Sequence, residues 1–214
     1  MTELTSYFIL AFSSLFTLVN PIGLSPVFLS MVDHCDDKER QKIALKGVLT
    51  ALVVLIIFTF LGRLVFSFFG ITVSGFKIAG GILFFRTGIH MLEARVSRTR
   101  STPKEETEAE TKAEIAYTPL GIPLIAGPGA ITYVMIFSSE AGSWEFKLVL
   151  FIVIILVLSL TFIIFQSADY LSQRFGTTGL RITQRIMGLI LMVIAVQFVI
   201  DGVGTVVMGW LKSA

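Results

Sequence analysis

The chain has 214 residues, of which 54% are hydrophobic and only 15% charged, with a mean hydropathy of +0.84. A soluble domain carries about a quarter charged residues, so this composition excludes a large water-soluble fold. The formal net charge of +2 comes without a dense basic block, and no nucleic-acid partner is expected.

Six apolar spans are predicted in chain order. The first covers residues 7–31. The leading Met1-Thr2-Glu3-Leu4-Thr5-Ser6 lacks a positive n-region and a small-residue cleavage site follows nowhere, so a retained helix is expected rather than a signal peptide. Within this span, Asn20-Pro21-Ile22-Gly23-Leu24-Ser25-Pro26 sets helix breakers where a membrane helix would otherwise run on. The second and third spans, residues 43–69 and 73–92, meet at Gly70; Val48 to Phe60 carries no charge. Residues 94–116 mix both signs of charge and read as a solvated linker between a first unit, 1–93, and a second, 117–214.

The fourth span, 117–138, holds the second set of breakers: Thr118-Pro119-Leu120-Gly121-Ile122-Pro123, then Ala126-Gly127-Pro128-Gly129-Ala130. Gly142-Ser143 turns the chain into the fifth span, 146–171, where Leu148 to Phe165 is free of charge, and the sixth covers 183–208. Twelve Lys and Arg fall in the loops after spans one, three and five, against three on the other side. The positive-inside rule therefore puts both termini outside.

Three spans per half make the second half inverted relative to the first, and two alignments of the breakers compete. Matching Asn20-Pro21-Ile22-Gly23 to Thr118-Pro119-Leu120-Gly121 gives an offset of 98; matching it to Gly127-Pro128-Gly129-Ala130 gives 107. The second agrees with the offset of 108 between Lys77-Ile78-Ala79-Gly80-Gly81-Ile82-Leu83 and Arg185-Ile186-Met187-Gly188-Leu189-Ile190-Leu191. It also puts both prolines near mid-span, and is preferred. The predicted fold is all-α and polytopic: six transmembrane helices as two inverted three-helix repeats, with helices 1 and 4 discontinuous.

A break inside hydrocarbon presents free carbonyls on one side and free amides with a positive dipole end on the other. Such paired ends suit the carboxylate and ammonium of an amino acid, and paired interruptions mark transporter binding sites. The candidate substrate-binding residues are Asn20, Pro21, Gly23, Pro26, Thr118, Pro119, Gly121, Gly127, Pro128 and Gly129. Glycine at 127 and 129 admits close backbone approach, and the cavity is expected to be small. Kinks that merely pack helices together are the competing explanation.

Together the two breaker motifs resemble the MarC family of six-span bacterial inner-membrane proteins, over essentially the whole chain. The resemblance implies inverted repeats with discontinuous first and fourth helices. It also implies transport of small neutral amino acids, glycine, alanine or serine, coupled to protons. An efflux protein for drugs or other small organic molecules and a non-transporting membrane scaffold or regulatory protein are the alternatives.

Ionisable residues within spans are functional candidates because burying them is costly. Arg63 could snorkel or pair with Asp201, Arg86 has Asp169 and Gln166 as candidate partners, and Asp201 is the first suspect for proton coupling. Cys35 is the sole cysteine, and His34, Cys35, Asp36 and Asp37 lack the spacing of a metal site. No catalytic or phosphate-binding motif occurs, so neither an enzyme nor a cofactor is expected. Assembly as a homo-oligomer is left open.

Overall fold

The computed structural model describes residues 3–33, 35–93 and 116–213; His34 and the expected linker at 94–115 lie outside them. Among the described residues there is no strand. Helix α1, Glu3–Val19, is followed after Asn20 by α2, Pro21–Met31. Helix α3, Asp37–Phe69, starts six residues before the expected span because Asp36 and Glu39 form a capping box. It ends on Gly70, whose φ of 63° is the left-handed conformation that glycine adopts without a Cβ penalty. Helix α4, Val73–Leu92, is capped by Thr72. An irregular segment, Ala116–Ile125, with extended backbone at Thr118 and Ile122, leads into α5, Pro128–Glu140. Helices α6, Trp144–Gln166, and α7, Ala168–Ser213, complete the chain.

The loop expected between spans five and six is largely helical, but it is broken at Gly176, whose φ of 60° and ψ of 178° are not helical, so α7 is two helices meeting at a kink there. The polar residues there, including Gln173, Arg174 and Arg181, are compatible with a helix. Among the described residues, four stretches are long and apolar enough to cross a membrane: Glu3–Met31, Asp37–Gly62, Trp144–Gln166 and Thr178–Leu211. The pair Ala116–Ile125 and Pro128–Glu140, bent by 58°, supplies a fifth if it counts as one span. Helix α4 forms over the expected residues, yet Lys77 and Arg86 dilute its apolar character. Its twenty residues would still reach about 30 Å.

The main helix contacts interleave the two ends of the chain. Helix α4 lies along α7, α3 along α5 and the Ala116–Ile125 segment, and α1 along α6. Each of these pairs joins a helix before residue 94 to one after residue 115. Leu15, Leu55, Phe84, Leu120, Tyr133, Ile154 and Leu191 fill the interior, while Phe60, Leu64, Phe68 and Val193 are apolar and exposed. An apolar outer surface suits hydrocarbon rather than water as the surrounding medium.

The closest helix pair is α4 with α7, which run antiparallel. A Cβ added to Gly81 would stand 2.7 Å from the Ala195 carbonyl oxygen, and one on Gly188 would stand 2.8 Å from that of Gly88. Small residues let helix backbones approach closely where lipid supplies no hydrophobic drive for association. The contacts also follow a rule. A shift of 107 residues carries Gly81 onto Gly188 and Gly88 onto Ala195, so the first contact becomes the second. It also carries Leu92 onto Val199, and Gly188 meets Leu92 as Gly81 meets Val199.

Gly188→Ala is expected to destabilise the protein by about 1–3 kcal/mol, since the new methyl group meets backbone on α4. Gly204→Ala, with open space around its Cβ position, should leave stability unchanged or slightly raised. Thermal unfolding in detergent compares the two; equal midpoints would contradict the close approach.

Candidate functional site

The first break rests on Asn20. Its backbone is left-handed (φ 51°, ψ 56°), a conformation that asparagine tolerates better than most residues with a Cβ. Its side-chain oxygen accepts from the Gly23 amide at 3.3 Å and so caps α2. Pro21 occupies the first helical position, where a missing N–H costs nothing. Gly23 has no room for a larger residue, since a Cβ there would run into the side-chain amide of Asn20. Asn20 and Pro21 are buried. Pro26, by contrast, lies inside α2 on its exposed side, away from the break. Pro26 cannot donate to the Ile22 carbonyl, and the Ser25 hydroxyl does so instead at 2.8 Å.

The second break divides the long downstream motif in two. Thr118 is exposed, and Pro119 and Gly121 are buried against α3. A Cβ on Gly121 would meet Thr50 Cβ at 2.8 Å and the Gly47 carbonyl oxygen at 3.1 Å. The packing explanation therefore accounts for Gly121, whose neighbours are on α3. The helix restarts at Gly127-Pro128, with Gly127 as N-cap and Pro128 at its first position. Pro21 and Pro128 thus each open a helix, 107 residues apart. Gly127 is buried, with a Cβ position 2.9 Å from the Pro123 carbonyl oxygen; Pro128 is exposed and Gly129 half-buried.

Gly129 brings the breaks together. Its Cβ position lies 3.1 Å from the Leu18 side chain, two residues before Asn20, and 3.6 Å from the Phe84 ring. The N-terminal end of α5 therefore faces the end of α1. Around them lie buried polar side chains that sequence inspection did not single out. Thr17 Oγ1 stands 2.7 Å from the Ser13 carbonyl and 3.8 Å from Met187 Sδ. Ser14 Oγ is fully buried near Tyr133, without a well-formed hydrogen bond among the described residues. Ser14, Thr17 and Asn20 recur every three residues and mark one side of α1, a pattern legible in the sequence.

Along α5 from the break, Tyr133 and Phe137 follow Gly129 at intervals of four residues. Tyr133 stacks on Phe137 with centroids 4.3 Å apart and on Phe198 at 5.9 Å, and its hydroxyl donates to the Leu10 carbonyl at 3.2 Å. Tyr7 donates to the Phe137 carbonyl at 3.2 Å. In the other direction Phe28 of α2 stacks on Phe165 of α6 at 4.6 Å. Aromatic contacts therefore flank the breaks toward both ends of the bundle. Two hollows lie elsewhere, a shallow one at Leu64–Phe69 on α3 and one between Thr59, Ser138 and Lys147.

The charged candidates are arranged differently from expectation. Asp169 pairs with Arg40 at 3.0 Å, while Arg86 is exposed on α4. Arg40 also donates to the carbonyls of Val32, Asp33 and Cys35, so it joins the α2–α3 turn to the start of α7. Asp201 accepts from Gln197 one turn earlier at 2.7 Å; the side chain of Arg63, its other candidate partner, lies outside the described residues. A second ion pair joins Lys77 of α4 to Glu140 at the end of α5. Helix α3 runs from the Arg40–Asp169 end toward the Lys77–Glu140 end and α6 runs back from Glu140 toward Asp169, so the pairs lie at opposite ends. Among the described residues, no group of three or more His, Cys, Asp or Glu could hold a metal ion.

A helical bundle with an apolar exterior and interrupted spans defines an integral, multi-pass membrane protein. The chain belongs to the MarC family of integral membrane proteins, whose model matches residues 5–207. It is 42% identical over 201 residues to a UPF0056 membrane protein of Methanocaldococcus jannaschii, covering 92% of this chain and 96% of that one. It is 36% identical over 195 residues to the UPF0056 membrane protein YvbG of Bacillus subtilis, covering 91% and 92%. No solved structure matches the chain.

Asn20→Ala is expected to lose about 1 kcal/mol for the cap and a further ~1 kcal/mol for left-handed backbone strain. Asn20→Gly keeps the backbone conformation and should lose only a few tenths of a kcal/mol, about what a glycine cap costs. Unfolding midpoints in the order wild type, Gly, Ala would follow; alanine as stable as glycine would contradict the left-handed cap.

Proposed function

We propose that the protein is a secondary transporter of small neutral amino acids, glycine, alanine or serine, working by alternating access about the paired breaks. The carrying observation is the convergence of the α5 N-terminus, through Gly129, on α1 beside the α2 N-terminus. Two positive helix ends suit a carboxylate, and the carbonyls ending α1 and the Ala116–Ile125 segment suit an ammonium. Close packing around Asn20, Gly23 and Gly129 favours a cargo of a few heavy atoms over a drug-sized one.

The proposal includes two inverted three-helix repeats, supported by helix starts at Pro21 and Pro128 and by the α4–α7 contacts related through the same shift of 107. It places the protein in a bacterial inner membrane with periplasmic termini, supported by the distribution of Lys and Arg and by bacterial relatives. Transport is coupled to protons in this reading, with Asp201 as the carboxylate to test first.

Reconstituted protein should exchange labelled glycine, alanine or serine against unlabelled cargo in counterflow, faster under a proton gradient. Gly129→Val, which fills the space between α1 and α5, should lower exchange at least roughly tenfold, equivalent to about 1.4 kcal/mol of lost affinity. Absence of exchange for all three amino acids, by protein with intact helical circular dichroism, would overturn the cargo assignment. Gradient-driven flux unchanged in Asp201→Asn would remove Asp201 as the coupling group.

A further inference from the structure

We propose that Lys77 and Glu140, with the aromatic stack beneath them, form the gate that closes the site toward the Glu140 end of the bundle. This rests on the transporter reading and names residues for one of its two closures. Lys77 is an unusual residue for its position: its side chain is only 12% exposed, on a helix that must lie in or near hydrocarbon. Its ammonium pairs with the Glu140 carboxylate and stands 5.8 Å over the Phe198 ring. One charge thus holds three helices together: α4, α5 and α7.

The layers below the ion pair are ordered along one side of α5. Glu140, Phe137, Tyr133 and Gly129 recur at intervals of three, four and four residues, so they share a face. At 1.5 Å per residue, Glu140 lies about 16 Å from Gly129, and the aromatic layers fill that distance. Tyr133 is fully buried between Phe137, Phe198 and Phe84, and Phe84 reaches Gly129 itself. The hydroxyl of Tyr133 fastens this stack to α1 at Leu10, one turn before Ser14. Ser14, polar and fully buried, lies beside the Tyr133 hydroxyl, one turn nearer the break than Leu10. A hydroxyl buried in an apolar interior is readily hydrated once the stack parts.

Removing Glu140 leaves the largely buried Lys77 ammonium unpaired, and removing Lys77 takes away the charge that draws the exposed Glu140 onto α4; either change disfavours the closed arrangement. The pair reads as a latch because Glu140 ends α5 and Lys77 lies in the second turn of α4, where the two helices can separate without unwinding. Separation lets water past Tyr133 to Ser14 and the breaks.

The test is thiol accessibility, which needs no knowledge of the cargo. In a Cys35→Ser background, Ser14→Cys is labelled in membrane vesicles with an impermeant thiol reagent added to each face in turn. Gly142→Cys, exposed in the turn after Glu140, identifies the Glu140 face. Reaction of the Ser14→Cys thiol from that face should be slow, and at least roughly tenfold faster with Lys77→Met or Glu140→Gln, as expected if the closed–open equilibrium moves by one power of ten. The charge exchange Lys77→Glu with Glu140→Lys should return it to the slow rate.

Unchanged labelling in both single variants would overturn the gate. Faster labelling that the charge exchange does not reverse, or that occurs equally from both faces, would also overturn it, marking a loosened bundle instead. If the single variants do not fold, the exchanged pair alone decides, by folding with slow labelling or failing to do so. Counterflow in the otherwise unaltered protein separates these outcomes from failure of the transporter reading, since that assay does not depend on the gate residues.

Discussion

Inside a bilayer a backbone polar group has no water to turn to, and every interruption of a helix must be answered by the protein. The two interruptions here are answered with different residues. At the first, Asn20 supplies both a left-handed turn and a cap for the Gly23 amide. At the second, glycine at 127 brings the chain within reach of the Pro123 carbonyl, and the Ala126 amide bonds back to Gly121 at 2.9 Å. In both cases proline follows at the first helical position, where its lack of an N–H removes one orphan donor. Pro26 shows the same constraint within a helix, since Ser25 bonds the carbonyl that Pro26 cannot.

Those local solutions need a rigid frame, and the interleaved helix pairs provide it. Lipid tails are as apolar as leucine, so α4 and α7 associate through close packing of small residues rather than through exclusion of water. Gly81, Gly88 and Gly188 bring the two backbones together. That the contact at Gly81 is reproduced at Gly188 after the same shift that relates Pro21 to Pro128 links the frame to the breaks. A pair of interlocked repeats, as proposed, would rock against each other about the breaks, with α4 and α7 along the shared seam.

Electrostatics separates the two ends. Arg40 and Asp169 join the turns on the side expected to be cytoplasmic, and Asp169 is largely exposed. Such a pair contributes little by itself, on the order of 0–1 kcal/mol, although Arg40 also secures three backbone carbonyls. Lys77 at the other end is much less exposed, so its pairing matters more. The asymmetry suits a state closed more firmly toward the Glu140 end.

Much of this was legible in the residues. Composition pointed to a membrane protein, because 15% charged residues cannot solvate a chain of this length, and uncharged runs such as Leu148 to Phe165 pointed to helical spans. Breakers at Asn20-Pro21 and Gly127-Pro128 announced where helices restart, since proline acts on its own backbone wherever it stands. Tertiary structure alone decided which breaker residues face the neighbouring break and which merely pack. Gly121 lies against α3 and Pro26 on an exposed side, whereas Gly129 meets Leu18, and nothing in their local sequence separates these fates. The ion pairs were hidden for the same reason. Arg40 lies 129 residues from Asp169, and long-range partners follow from how helices pack, which side-chain periodicity does not encode.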